Sequence, residues 1–184
     1  MIEQKIKEQI IAFAKEFYSK LDFAHNIEHG ERVVSIALKI NKFENGNVEL
    51  VEIGGWLHQF HDNIEQLESF LNSIDLDKIL IIKLLEIVKY CRPTLIKVSH
   101  SIEAKIVFDA DAIEVLGTYG FIREIFCNIK QRNKSWDDSI NDAIEVNKIF
   151  KDKLKTKTGK KLIEESNIIL DNFLCDYHYW KLIN

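Results

Sequence analysis

The chain has 184 residues, 46% of them hydrophobic and 29% charged, with a formal net charge of −4. At roughly 150 residues per domain this length points to one domain, residues 1–184, and the composition excludes disordered and fibrous classes. One proline and seven glycines are too few turn residues for an all-β sandwich or barrel, and the acidic balance argues against a general nucleic-acid binder.

The N-terminal stretch MIEQKIKEQIIAF carries acids and lacks an uninterrupted apolar run, so it does not read as a signal peptide. Ile2, Ile6, Ile10, Phe13, Phe17 and Leu21 then recur in steps of three and four, the stripe of an amphipathic helix. Residues 22–26 read as a loop. Val33, Ile36, Ala37 and Ile40 repeat the pattern over 28–43, and Asn45-Gly46 should stop it, with Gly46 as the left-handed cap. Asn47 can cap a third helix through Val48, Val51 and Leu57, in which Gly54-Gly55 suggests close backbone packing.

A short helix is predicted over 64–72. A second, over 76–90, is rich in Ile and Leu and therefore expected to be central; Pro93 should end it near Arg92. The run ILIIKLLEIV is broken by Lys83 and Glu86, and no apolar run is long enough to span a bilayer. Helices are also expected over 101–115, over 119–130 with Phe121, Ile122, Ile125, Phe126 and Ile129 inward, over 136–154 behind the capping spacing Ser135-Trp-Asp-Asp138, and over 160–177. Cys91, Cys127 and Cys175 form no CxxC pair, so three buried thiols in a reducing compartment are expected, and a cytoplasmic location. Lys151 to Lys161 holds six lysines and one aspartate. It reads either as a solvated connection or as a lysine cluster facing phosphates.

Two histidine groups stand out, His25-Asn-Ile-Glu-His29 and His58-Gln-Phe-His61-Asp62. On a helix, His25 and His29, or His58 and Asp62, share a face and can offer two ligands to one ion. Asp109-Ala-Asp111 lies in an otherwise apolar helix, where buried carboxylates must be paired or coordinated. Imidazole with carboxylate suits a divalent transition metal or magnesium. Taken alone, these residues favour surface histidines and solvated aspartates over a metal site.

The order of the groups carries more. His29-Gly-Glu-Arg32-Val33 comes first, then Gly-Gly-Trp-Leu-His58, then Glu103-Ala-Lys-Ile-Val-Phe-Asp-Ala-Asp111-Ala-Ile-Glu-Val-Leu-Gly117. This resembles the HD-domain superfamily of metal-dependent phosphohydrolases, in particular small standalone bacterial members with an H-x-x-R-V helix, an L-H-D helix and an E-A-K-I-V-Q-D-A-D-R-L-D-A-L-G helix. Phe150 to Leu162 also looks like that group's terminal helix pair, so the resemblance covers about residues 20–178. It implies an all-α bundle of about eight or nine helices, with a motif-bearing core over about 20–130 and a helix pair over about 136–178.

The resemblance further implies one divalent metal ion (Mn, Fe, Ni, Zn or Mg) held by His29, His58 and Asp111. Asp62 stands where related hydrolases carry an acid proposed to position or activate the attacking water. It could alternatively serve as a ligand. Arg32 matches H-x-x-R, as a salt-bridge partner or a substrate contact. Lys153 matches a terminal-helix lysine that can meet phosphate, and Glu103, His25 and His61 are candidates beside the ligands. Two positions depart from the pattern. The second residue of the HD pair is Gln59, an amide that offers at most a neutral carbonyl oxygen to a metal, and the arginine of D-A-D-R-L is missing. The expected partner is a small phosphorylated substrate, with neither nucleic-acid polymer nor membrane. The alternative is a catalytically impaired HD fold that binds a ligand or protein partner without hydrolysis.

Overall fold

A computed structural model describes residues 2–182, and the fold is all-α. Among the described residues there are nine α-helices: α1 (Gln4–Tyr18), α2 (Ile27–Glu44), α3 (Val48–Leu57), α4 (Ile64–Ser73), α5 (Lys78–Tyr90), α6 (Ile102–Ile113), α7 (Gly117–Lys130), α8 (Trp136–Lys153) and α9 (Lys157–Leu182). Short 3-10 turns at Phe23–His25 and His58–Asp62 precede α2 and follow α3. The chain divides into two compact units, Met1–Asp111 and Ala112–Asn184. No described helix is long and apolar enough to cross a membrane.

In the first unit, α1 buries Ile6, Ile10, Ala14 and Tyr18, four residues apart on one stripe. Phe13 stacks on Phe60 and Phe70 with centroids 5.0 and 3.8 Å away, and Phe17 stacks on Phe60 at 4.0 Å. Between α2 and α3, Asn45 rather than Gly46 takes the left-handed cap, at φ 58° and ψ 34°. The Asn41 amide stabilises this turn: its Oδ1 accepts from Gly46 N–H at 2.8 Å and its Nδ2 donates to Gly46 O at 3.1 Å. Asn47 caps α3 as expected.

The most enclosed helices are α3 and α6, each buried over most of its circumference. Helix α5 is not: Ile79 and Ile82 are more than 60% exposed, and only Ile81, Leu84, Ile87 and Val88 form its packed stripe. Its apolar content exceeds what one neighbouring face can cover.

In the second unit, Gly117 opens α7 at φ +65°, and Ser135 caps α8 by accepting from Asp138 N–H. Phe121 and Ile125 pack inward with Ile140, Ala143 and Leu170, but Ile122 and Phe126 are exposed. Glu124 and Asn128 take the inner face of α7 instead. They are paired there: Glu124 with Arg132, and Asn128 Nδ2 with Ser139 O at 3.3 Å and Asp142 Oδ2 at 2.9 Å. Hydrogen bonding makes that polar face compatible with burial. Cys91 and Cys127 are buried, whereas Cys175 is exposed, contrary to expectation. The lysines at 151, 153, 157, 160 and 161 are all exposed.

Candidate metal centre

The first unit packs α3 against three other helices through a pair of glycines. A Cβ on Gly55 would stand 3.0 Å from Cγ2 of Val34 on α2, and one on Gly54 would stand 2.8 Å from Cγ2 of Ile87 on α5 and 3.3 Å from Cγ2 of Val107 on α6. Hydrogen at both positions lets α3 seat this closely; a methyl on Gly54 would force Ile87 to shift, and one on Gly55 would press Val34 aside. The histidine that follows α3, a histidine of α2 and an aspartate of α6 then converge.

His29 lies in the first turn of α2, which Asn26 caps by accepting from His29 N–H at 3.1 Å. His58 opens the 3-10 turn after α3. Both imidazoles are buried, while Asp111 is partly open. His29 Nε2 and His58 Nε2 are 3.1 Å apart, and Asp111 Oδ1 is 3.4 Å from the first and 3.5 Å from the second. Ligand atoms at about 2.1 Å from one ion stand about 3.0–3.4 Å from each other in octahedral or tetrahedral geometry. The triad has that spacing, and two imidazoles with one carboxylate are a donor set for a divalent transition metal.

The tautomer of His58 also fits. Its Nδ1 is 2.7 Å from the Gly55 carbonyl oxygen, which can only accept, so Nδ1 carries the hydrogen and Nε2 presents a lone pair to the centre. Burial pushes the His58 pKa down to about 4, against the opposing pull of Asp111; the ring is therefore neutral at pH 7, as a ligand must be. The Tyr18 hydroxyl lies 3.1 Å from the same Nδ1. Burial raises the Tyr18 and Cys91 pKa values well above their ordinary ranges, so both keep their protons. The Cys91 thiol points at Asp111 Oδ2 from 4.0 Å.

The remaining sequence candidates are placed as follows. Gln59 reaches the centre: its Nε2 is 3.1 Å from His58 Nε2 and 3.2 Å from His29 Nε2. Asp62 is exposed and ion-paired with Arg92, which also donates to His61 O at 3.1 Å. His58 and Asp62 do not share a face, because their segment is a 3-10 turn. With three residues per turn it is His61 that eclipses His58, and His61 Nδ1 accordingly donates to His58 O at 3.0 Å. His25 binds Asp22 Oδ1 through Nδ1 at 2.9 Å and sets its ring edge-on to His29 at 5.8 Å. Asp109 is fully buried but outside the triad. Glu103 is not beside the ligands; it accepts from Asn47 N–H at 2.8 Å, joining α6 to the start of α3. Arg32 is half-buried on α2, and Lys153 is exposed at the end of α8 in the second unit.

Sequence reasoning missed Tyr18, Cys91 and Arg92. Tyr18 carried a readable signal, since it continues the stripe Ile6, Ile10, Ala14 at the same spacing and a buried phenol needs a polar partner.

Comparison with solved structures places this fold among known proteins. A Lactobacillus plantarum protein matches with 19% identity and a TM-score of 0.88 over 100% of both chains. Bacillus subtilis YpgQ, crystallised in complex with ADP, matches with 20% identity and a TM-score of 0.80, over 97% of this chain and 96% of that one. An HD-superfamily hydrolase from Bacillus thuringiensis matches with 23% identity and a TM-score of 0.76, over 97% and 98%. The chain therefore shares its fold with these structures, an HD-superfamily hydrolase among them, over 97% of its length or more. No family model and no curated protein sequence matches it.

Proposed function

We propose that the chain is an HD-superfamily metal-dependent phosphohydrolase that acts on a nucleotide or another small phosphate ester in the cytoplasm, with neither a nucleic-acid polymer nor a membrane as partner. The observation that supports this most is the convergence of His29, His58 and Asp111 from three separate helices with metal-ligand spacing. The ADP complex of the B. subtilis neighbour supports a nucleotide in particular.

His29, His58 and Asp111 would hold the ion. When bound, a divalent cation supplies Lewis-acid polarisation of a phosphoryl oxygen and makes water more acidic. Asp62 orients the attacking water and takes its proton, and Arg92 fixes the carboxylate in place for that task. Arg32 is the proposed phosphate contact on the first unit, and Lys153 is proposed separately as a phosphate-binding lysine of the second.

A second reading has its own support. The Gln59 amide lies against both ligand imidazoles and lowers the ligand charge relative to an aspartate, which favours an HD fold that binds a ligand without hydrolysing it.

Metal analysis of the purified protein, with hydrolysis assays on a nucleotide and phosphoester panel in manganese, separates the two. Hydrolysis by wild type that is lost in His58→Ala supports the enzyme. Hydrolysis only by Gln59→Asp supports the impaired fold. Absence of metal binding in all three proteins rejects the metal centre.

A further inference from the structure

The end of the Gln59 side chain stands beside two imidazole nitrogens, 3.1 Å from His58 Nε2 and 3.2 Å from His29 Nε2. Because the His58 Nδ1 hydrogen is given to the Gly55 carbonyl, His58 Nε2 is a bare acceptor. An amide that meets a bare acceptor must present its NH2 group and not its oxygen. One hydrogen of that NH2 can be given to His58 Nε2; His29 Nε2 stands 3.2 Å from the amide nitrogen and 3.1 Å from the same His58 Nε2. An ionised aspartate has no hydrogen to offer there and would leave the lone pair of His58 to a cation. Gln59 is also partly open to solvent, so its amide has room to turn.

Resting on the metal-site reading above, we propose that Gln59 is an internal competitor for the metal: its amide hydrogen-bonds the His58 lone pair that a cation requires, and uptake demands that this amide swing away. This differs from a mere loss of ligand charge. If lost charge were the whole effect, removing the amide altogether would give no gain in affinity. If the amide competes, its removal strengthens binding although no charge is added. It differs equally from a ligand role for Oε1, under which removal weakens binding.

The test titrates manganese by calorimetry into wild type and Gln59→Ala, both stripped with chelator. Competition predicts binding up to roughly tenfold tighter for Gln59→Ala, the scale of one buried neutral hydrogen bond released. It also predicts a lower melting temperature for stripped Gln59→Ala, which has lost that bond. Equal or weaker binding by Gln59→Ala, while wild type binds, overturns the competition and leaves the metal site standing. No binding by wild type, Gln59→Ala or Gln59→Asp removes the metal site itself and the competition with it. An independent measurement needs no variant: in stripped wild type, a nitrogen–nitrogen coupling across the hydrogen bond from Gln59 Nε2 to His58 Nε2 should be seen by NMR. Its absence, with the His58 resonance assigned, overturns the proposal.

Discussion

The hydroxyl of Tyr18 lies 3.1 Å from His58 Nδ1, on the side of the ring away from His29 and Asp111. The Gly55 carbonyl lies 2.7 Å from the same nitrogen. Tyr18 comes from α1, so the first helix of the chain helps to hold a ligand that follows α3. Nδ1 has one hydrogen, so the Tyr18 oxygen shares it as a second, more distant acceptor, and in Tyr18→Phe the ring loses the weaker of its two anchors. Loss of one buried hydrogen bond should lower stability by about 1 kcal/mol. Manganese affinity should fall roughly tenfold, the lower end of what the partners of ligand imidazoles contribute. Urea unfolding and calorimetric titration check the two effects separately, and unchanged affinity would show that Gly55 alone holds the ring.

The depressed pKa of His58 gives a sign for the pH dependence of stability. Burial lowers it to about 4, while the unfolded chain has the ordinary value of about 6.5. Above pH 6.5 both states are neutral at this residue and it costs nothing. As pH falls toward 4 the unfolded state takes up a proton that the folded state refuses, so stability declines, by up to about 3 kcal/mol in total. Below pH 4 the loss levels off. Urea midpoints of chelator-stripped protein between pH 7 and pH 4 should show this decline, and His58→Leu should flatten it. Equal slopes in both proteins would mean that other groups carry the acid sensitivity.

The glycine pair of α3 sets how closely the ligand-bearing helices approach. Gly54→Ala would place a methyl group 2.8 Å from Ile87 and 3.3 Å from Val107. Overpacking of this kind should destabilise the protein by about 1–3 kcal/mol, against the small gain in helix propensity from replacing glycine. A displacement that moves α6 also moves Asp111, so metal affinity should fall with stability. Thermal melts and manganese titration of Gly54→Ala check both; a more stable variant would show that the helices have slack to yield.

Part of this was legible in the sequence because helix periodicity and capping are local. The caps at Asn47 and Ser135 and the close packing of Gly54-Gly55 could be read from residue type and spacing, whereas His29, His58 and Asp111 were singled out by the order of motifs that resembles a family and not by residue type alone. What could not be read depends on which face meets a partner. Isoleucines 79 and 82 are exposed although apolar, and Glu124 and Asn128 are buried although polar, because hydrogen bonds to Arg132, Ser139 and Asp142 decide that inner face. The segment His58–Asp62 misled for another reason. The same residues imply different neighbours at 3.6 and at 3.0 residues per turn, and sequence spacing does not reveal which winding is adopted. Arg92 was invisible because its pairing with Asp62 spans thirty residues.

That pairing separates the roles of two aspartates. Asp111 stands within 3.5 Å of both ligand imidazoles, whereas Asp62 is exposed, turned off the His58 face and held by Arg92. Asp111→Asn removes the only negative charge of the triad, and an amide is a far weaker ligand for a dication, so manganese affinity should fall by at least about a hundredfold. Asp62→Asn leaves the triad intact, and affinity should stay within about threefold of wild type, since an exposed charge that is already paired acts on the centre only weakly. Turnover should respond differently. If Asp62 takes the proton of the attacking water, Asp62→Asn should lower kcat by about a hundredfold or more with KM little changed. Arg92→Met keeps the acid but loses its anchor, so kcat should fall less than in Asp62→Asn. Asp62 also becomes free to approach the cation, and manganese binding should not weaken. Calorimetry on the four proteins, with kinetics on whichever phosphate ester wild type hydrolyses, gives every quantity needed. Loss of metal in Asp62→Asn comparable to that in Asp111→Asn would make Asp62 a ligand and set aside its assignment to the attacking water.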